Sequence, residues 1–153
     1  MMELQTGDSV PNFILPSDKN EMVDISNFKG KNLVIYFYPK DDTPGCTIEA
    51  KDFSCAIDEF DKLNTVIIGI SRDSVKKHQK FRSNHDLKHI LLSDENAEVC
   101  QKFNCWVEKS MYGKKYMGIA RRTYLVNTVG IIVKIWLDVK IKGHIEEVIM
   151  ALR

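Results

Sequence analysis

The pattern of apolar positions along the chain predicts strands that alternate with helices. Residues 32–38 form a near-continuous run of β-branched and aromatic side chains, and residues 65–71 form a second such run. Continuous apolar runs of this length are typical of strands that are buried on both faces of a sheet. A shorter run over residues 90–94 predicts a third strand that ends in a helix cap.

The segments after these strands have the spacing of helices. Apolar residues recur every three to four positions from Thr43 to about Leu63, which predicts one long amphipathic helix. A polar helix is predicted over 74–84, a short one over about 97–103 and a last one over about 144–152. A progression of strand, helix, strand and helix favours parallel strands.

Two hairpins complete the predicted elements. Residues 13–15 and 22–25 flank a polar turn near the start of the chain, and residues 123–126 and 131–136 flank another turn near its end. The basic segment 108–117 is predicted to be a loop. We therefore expect an α/β fold in which a mixed central sheet is flanked by helices, with the N-terminal hairpin beside it.

Composition narrows the range of partners. With 153 residues and 44% hydrophobic content, the chain can bury one core, which predicts a single domain over residues 1–153. The 22 Lys and Arg nearly balance the 21 Asp and Glu, so no strong field favours nucleic acid or a membrane surface. Residues 1–7 lack the features of an export signal, and no apolar run reaches the ~18 residues of a membrane span. Four cysteines are too few for a disulfide framework, so we expect a cytoplasmic protein.

One cysteine stands where a helix is predicted to begin. Thr43 suits the N-cap, Pro44 suits the first helical position, and Cys46 then occupies the third. There we expect the Thr43 hydroxyl and free backbone N–H groups to converge on the thiol. A helix N-terminus can lower the pKa of a cysteine from about 8.5 to roughly 3.5–7.5. The sequence therefore predicts a reactive thiolate at Cys46.

The surrounding motif carries a family resemblance. Pro39, Thr43 and Cys46 follow Tyr36-Phe37-Tyr38 in a Pro-x-x-x-Thr-x-x-Cys pattern that resembles the peroxidatic active site of peroxiredoxins. Further matches to the bacterioferritin comigratory protein, or peroxiredoxin Q, subfamily lie at residues 42–47, 91–94, 106–109 and 116–119. The resemblance covers essentially the whole chain. It implies a thioredoxin-like fold and reduction of hydrogen peroxide and organic hydroperoxides, without a metal, haem or other cofactor.

The resemblance also implies roles for particular residues. Cys46 would attack one peroxide oxygen as a thiolate and become a sulfenic acid. The Thr43 hydroxyl and the backbone N–H groups of Gly45 and Cys46 would bind the peroxide, and Pro39 would shield the thiolate from water. Thioredoxin or another external thiol would then reduce the enzyme. The subfamily favours a monomer, with a dimer left open.

An arginine just before a late strand is part of the same family pattern. Residues 118–125 match that element, and the alignment puts the family arginine on Arg121, with Arg122 as the alternative. Successive residues of a strand point to opposite faces, so only one of the two can reach the thiol.

The resolving cysteine is the main departure from the family. The two positions where it is usually found correspond here to Lys51 and to Arg82 or a neighbour. Cys105 is the first internal candidate because it is predicted to lie in a loop, and Cys55 and Cys100 are the others. We therefore expect a one-cysteine mechanism that an external thiol completes.

Other functions fit the sequence less well. A thiol-based redox sensor or holdase with little turnover is the main alternative, because it needs the same reactive cysteine. A disulfide reductase is disfavoured by the absence of a Cys-x-x-Cys pair, and the motifs of a glutathione peroxidase are not evident. The histidines and cysteines lack the paired spacing of a zinc site.

Overall fold

A five-stranded mixed sheet lies at the centre of the molecule, of which a computed structural model describes residues 3–153. In chain order the strands are β1 Ile14–Pro16, β2 Met22–Asp24, β3 Asn32–Phe37, β4 Thr65–Ser71, β5 Ile90–Ser93, β6 Trp106–Met111, β7 Lys114–Ile119, β8 Arg122–Val126 and β9 Ile132–Trp136. The helices are α1 Pro44–Cys55, α2 Ile57–Lys62, α3 Val75–His85, α4 Glu98–Lys102 and α5 His144–Leu152.

The order of strands in the central sheet is β5-β4-β3-β8-β9. Strands β3, β4 and β5 are parallel, and their connections run through helices, as the alternation of strand and helix predicts. Strand β8 pairs antiparallel with β3, and β9 pairs antiparallel with β8. The expected mixed sheet with flanking helices is confirmed.

Strand β3 separates two hydrophobic cores. Leu33, Ile35 and Phe37 pack into a first core, together with α4 and the N-terminal hairpin, whereas Val34 and Tyr36 pack into a second core. All five side chains are buried, which is why the run reads as continuously apolar. The second core contains the inner faces of α1, α3 and α5.

The long predicted helix is divided in two. Helix α1 ends at Cys55, and α2 begins at Ile57, because Ala56 has φ −96° and ψ 7°, well away from helical values. The N–H of Ala56 is shared between the carbonyls of Asp52 and Phe53, which tightens the last turn of α1. The change of direction still buries Phe60 of α2 in the second core.

The segment predicted to be a basic loop is a β-hairpin. Strands β6 and β7 pair antiparallel from Trp106 opposite Ile119 to Met111 opposite Lys114. The two-residue turn between them, Tyr112-Gly113, has positive φ at both positions, 52° and 77°. Such a turn suits a hairpin, but it lacks the usual Asn-Gly or Asp-Gly sequence, and the mostly exposed strands lack alternating apolar positions. The local signal was therefore weak.

The start of the chain and its relation to membranes are described only in part. The expectation that no export signal opens the chain involves Met1 and Met2, which lie outside the described residues. Within residues 3–153, no helix is both long enough and apolar enough to cross a membrane.

Candidate active site

Cys46 lies at the amino end of α1, just beyond the carboxyl end of β3. Pro44 is the first helical residue, so Cys46 is the third, as predicted. The first hydrogen bond of the helix runs from the Thr47 N–H to the Thr43 carbonyl, with a distance of 2.9 Å between nitrogen and oxygen. The N–H groups of Gly45 and Cys46 precede it and are therefore left for other acceptors. The side chain of Cys46 is only 1% exposed.

Thr43 is the N-cap residue, but its side chain does not cap the helix. Its hydroxyl donates a hydrogen bond to the Lys40 carbonyl at 2.8 Å and makes no bond to the helix N–H groups. The predicted N-cap position is confirmed, but the tight turn over residues 40–43 brings the Lys40 carbonyl within reach of the hydroxyl. Since the hydroxyl proton is engaged, the oxygen lone pairs remain available to accept a hydrogen bond.

The structure brings Arg121 to the thiol. Its Nη2 lies 3.2 Å from the Sγ of Cys46, and its Nη1 lies 2.5 Å from Oε1 of Glu49. Arg122 turns to the other side, where its Nη1 donates to the Asn104 carbonyl at 2.8 Å. Of the two candidates, Arg121 is therefore the one that contacts Cys46.

Glu49 is a member of the site that the sequence analysis missed. Its side chain is buried, and its Oε2 has no hydrogen-bond partner among the described residues. Burial raises the pKa of Glu49 to about 7, although the Arg121 guanidinium acts in the opposite direction. A signal was present in the sequence, because a residue three positions after Cys46 lies on the same face of a helix. Glu49 holds the guanidinium in place beside the sulfur.

Gly45 leaves space that the arginine needs. A Cβ atom at this position would lie 3.1 Å from Cδ1 of Ile141 and 3.4 Å from Nη2 of Arg121. Both contacts are tight, so a larger residue would press on the guanidinium. The glycine thus serves the site through its lack of a side chain as well as through its N–H.

Pro39 lines an open groove. It is half-buried and lines a groove of about 470 Å³ together with residues that include Trp106, Lys109 and Tyr116. Burial lowers the pKa of Lys109; the positive charge of Arg121 acts in the same direction and Cys46 in the opposite one. The shielding role of Pro39 stays a prediction.

The other cysteines are not brought to Cys46. Cys100 and Cys105 belong to the first core, whereas Cys46 belongs to the second, on the other face of the sheet. Burial raises the pKa of Cys105 to about 12 and that of Cys100 still further above the usual range. Cys55 is exposed at the far end of α1. As expected, Cys100 and Cys105 pack as small buried side chains.

These features form a candidate thiol active site. A nearly buried sulfur contacts a guanidinium at the start of a helix, just beyond the carboxyl end of β3, which pairs parallel with β4. Such an arrangement stabilises a thiolate and, next to it, the negative charge that develops on an oxygen as an O–O bond breaks.

Comparisons with known proteins agree with this class of site. Residues 6–135 match the AhpC/TSA family. Peroxiredoxin Bcp of Bacillus subtilis (strain 168) is 43% identical over 152 residues, which cover 99% of this chain and 97% of that protein. Peroxiredoxin Bcp of Escherichia coli (strain K12) is 40% identical over 144 residues, or 94% of this chain and 92% of that protein.

Solved structures give the same result. A Cys-to-Ser mutant of the peroxiredoxin Q of Xylella fastidiosa superposes with a TM-score of 0.93 at 35% identity, covering 99% of this chain and 97% of that one. The bacterioferritin comigratory protein of Xanthomonas campestris, studied for alkyl peroxide reduction in trapped intermediate and ligand complexes, gives a TM-score of 0.87 at 41% identity. That match covers 92% of this chain and 89% of the other.

The chain belongs to the AhpC/TSA family, within which its relatives are peroxiredoxins of the Bcp and peroxiredoxin Q type. The thioredoxin-like fold that the resemblance implied is confirmed, and so is the class of activity, that of a thiol-dependent peroxidase.

Proposed function

We propose that Cys46 is the peroxidatic cysteine of a one-cysteine peroxidase that reduces hydrogen peroxide and organic hydroperoxides. The observation that carries this proposal is the 3.2 Å contact between Arg121 Nη2 and the Cys46 sulfur at the start of α1. A cation fixed beside a thiol at a helix N-terminus is the environment in which a cysteine attacks as a thiolate.

The first half of the cycle oxidises the cysteine. The Cys46 thiolate attacks one oxygen of the peroxide, an S–O bond forms and the O–O bond breaks. The leaving oxygen departs as hydroxide or alkoxide and takes a proton to become water or an alcohol, while the sulfur becomes a sulfenic acid. The Gly45 and Cys46 N–H groups and Arg121 stabilise the charge on the oxygens, and the Thr43 oxygen accepts the peroxide O–H.

The second half of the cycle needs an external thiol. Cys100 and Cys105 lie across the sheet from Cys46, and Cys55 is exposed at the opposite end of α1. Two thiol groups of a reductant such as thioredoxin would therefore reduce the sulfenic acid, forming one disulfide and one water and restoring Cys46. We further propose that the protein works as a monomer in the reducing cytoplasm, without nucleic acid or membrane partners.

The experiment compares wild type with two variants. One is Cys46→Ser, and the other replaces Cys55, Cys100 and Cys105 by serine together. After one equivalent of hydrogen peroxide, peptide mass spectrometry with a sulfenic-acid trap should find the adduct on Cys46 in wild type and in the triple variant.

Multiple turnovers then distinguish the enzyme from a sensor. With thioredoxin and its reductase, wild type and the triple variant should consume many equivalents of peroxide, and Cys46→Ser should consume none. A disulfide between Cys46 and another cysteine, with loss of turnover in the triple variant, would contradict the one-cysteine mechanism. Oxidation that stops after one equivalent with every thiol reductant tried would favour the redox sensor.

A further inference from the structure

Two adjacent aspartates lie in the turn that leads to Cys46, and each pairs with a histidine of α3. Nδ1 of His78 lies 2.6 Å from Oδ2 of Asp41, and Nε2 of His85 lies 2.7 Å from Oδ1 of Asp42. The histidines are seven residues apart, two helical turns, and therefore lie on the same face of α3. We call these two pairs the histidine clasp.

The inner pair is buried and fully hydrogen-bonded. Nε2 of His78 lies 3.0 Å from the Leu92 carbonyl, which can only accept, so this nitrogen carries a hydrogen. The other ring nitrogen, Nδ1, is hydrogen-bonded to Oδ2 of Asp41. The Tyr38 hydroxyl donates to Oδ1 of Asp41 at 2.6 Å. The Asp41 side chain is thus fixed at both oxygens.

The same network fixes the backbone of the turn. The Asp41 N–H donates to Oδ2 of Asp73 at 2.8 Å, and that oxygen also accepts from the Ser71 hydroxyl at 2.7 Å. Atoms of Asp41, Asp73 and His78 lie within 4.8 Å of one another, close enough for metal ligands. The hydrogen bonds already account for this arrangement, so we assign the cluster to holding the turn.

The outer pair holds a residue of unusual backbone conformation. Asp42 has φ 60°, in the left-handed region that most residues avoid. It immediately precedes Thr43, whose hydroxyl closes the turn onto the Lys40 carbonyl. A side-chain partner on α3 therefore holds the turn where its conformation would otherwise relax. His85 is half-buried and its ring packs against the buried Phe81, so an apolar replacement of similar size keeps that contact while removing the bond to Asp42.

We propose that the histidine clasp positions the amino end of α1 for the attack of Cys46 on peroxide. This proposal rests on the proposed role of Cys46. His78 and His85 touch neither the sulfur nor the peroxide; they act through Asp41 and Asp42, and so are positioning residues. The reaction needs this positioning because the sulfur must approach along the O–O bond while the helix N–H groups contact the peroxide oxygens. A misplacement of about 1 Å can lower the rate about a hundredfold.

The test separates positioning of the peroxide from the reactivity of the thiol. All variants carry Cys55→Ser, which removes the exposed cysteine so that its alkylation does not obscure that of Cys46. Stopped-flow fluorescence gives the second-order rate constant of reduced protein with hydrogen peroxide. Alkylation by iodoacetamide gives the access and thiolate fraction of Cys46, and thermal unfolding gives the folded fraction.

The outer pair gives the cleanest variants. His85→Leu and Asp42→Gly, whose glycine tolerates the positive φ of this position, should each lower the peroxide rate constant about tenfold, with alkylation within about twofold of the parent. His85→Gln, whose amide can donate to Asp42, should restore most of the rate. The double variant should be no slower than either single variant, because both remove the same contact. Asn84→Ala, an exposed change on the same helix, is the matched control.

The inner pair should matter more. His78→Leu should lower the peroxide rate constant by up to about a hundredfold in protein that unfolds above the assay temperature. Peroxide rate constants within twofold of the control for every clasp variant would overturn the proposal. The proposal would also be overturned if the peroxide and alkylation rates fell together in proportion to the unfolded fraction, because the variants would then act only through unfolding. If Cys46 of the parent protein does not react with peroxide, that result overturns the proposed function as well, and it is seen before any clasp variant is made.

Discussion

Replacing Arg121 by Gln should separate two roles of its side chain, one in catalysis and one in stability. The guanidinium donates to the Cys46 sulfur at 3.2 Å and to Glu49 at 2.5 Å. Hydrogen bonds to charged groups contribute about 1.5–3 kcal/mol. If that contribution is made to the attacking thiolate and the peroxide oxygens, its loss lowers the rate about 10- to 150-fold.

The rate constant of reduced Cys46 with hydrogen peroxide measures the catalytic role. Arg122→Gln is the matched control, because Arg122 is the adjacent arginine but donates to the Asn104 carbonyl on the other side of the strand. We expect its rate to stay within about threefold of wild type. An Arg121→Gln rate within threefold of wild type, or an equal loss in Arg122→Gln, would refute the reasoning.

The stability role depends on pH through Glu49. Removing the cation leaves a buried carboxyl whose pKa, already about 7 because of burial, should rise further. The folded protein then holds a proton that the unfolded chain has released, so stability falls as pH rises from 6 to 8. While the folded protein keeps the Glu49 proton and the unfolded chain does not, each pH unit lowers the free energy of unfolding by about 1.4 kcal/mol. In wild type, Glu49 is already about half-ionised at pH 7, so the loss between pH 6 and pH 8 is smaller. Between pH 6 and pH 8, the free energy of unfolding of Arg121→Gln should therefore fall by about 1 kcal/mol more than that of wild type.

Urea unfolding at pH 6 and pH 8 measures this difference. The proteins should carry Cys46→Ser, so that ionisation of the thiol does not contribute. Adding Glu49→Gln to Arg121→Gln should remove the extra pH dependence, because the carboxyl is gone, but should not restore the peroxide rate when Cys46 is present. Recovery of the rate in that double variant, or an unchanged pH dependence, would contradict the assignment of the two roles.

Three further substitutions test other contacts. Gly45→Ala should slow the peroxide reaction about tenfold, because its Cβ would lie 3.4 Å from Nη2 of Arg121; an unchanged stopped-flow rate would contradict this. Gly69→Ala should lower the free energy of unfolding in urea by about 1–3 kcal/mol, because its Cβ would lie 2.8 Å from the buried Tyr36 hydroxyl; wild-type stability would show that the ring can move. Burial lowers the pKa of His89 to about 3, so wild type loses stability as pH falls from about 6.5, by about 1.4 kcal/mol per unit for this group. His89→Gln should lack that contribution between pH 6 and pH 5, and identical slopes in urea unfolding would refute it.

Local signals were sufficient where neighbouring residues determine the conformation. Thr43 and Pro44 mark the start of α1, and Cys46 falls at the third helical position, as predicted. The central strand was predictable because β3 is buried on both faces and therefore uniformly apolar. The β6–β7 hairpin was missed for the opposite reason, since exposed strands carry little of that pattern.

The family pattern pointed to Arg121 rather than Arg122, and the sheet register supplies the physical reason. Arg122 pairs directly with Phe37 of β3, and Phe37 packs into the first core. Paired residues of antiparallel strands share a face, so Arg122 points away from Cys46 and Arg121, one position earlier, turns towards it. Alternation along the strand predicted that only one could reach the thiol, but not which one.

The sequence by itself predicted a reactive cysteine at a helix start, because that prediction depends on residues within a few positions of one another, and it indicated the family through motifs spread along the chain. The tertiary structure decided which side chains meet Cys46 and the turn that precedes it. Glu49 closes on Arg121 across 72 positions and His78 on Asp41 across 37. Contacts over such distances depend on strand pairing and on the packing of helices against the sheet, which also separates Cys100 and Cys105 from the site. Local sequence preference does not encode them.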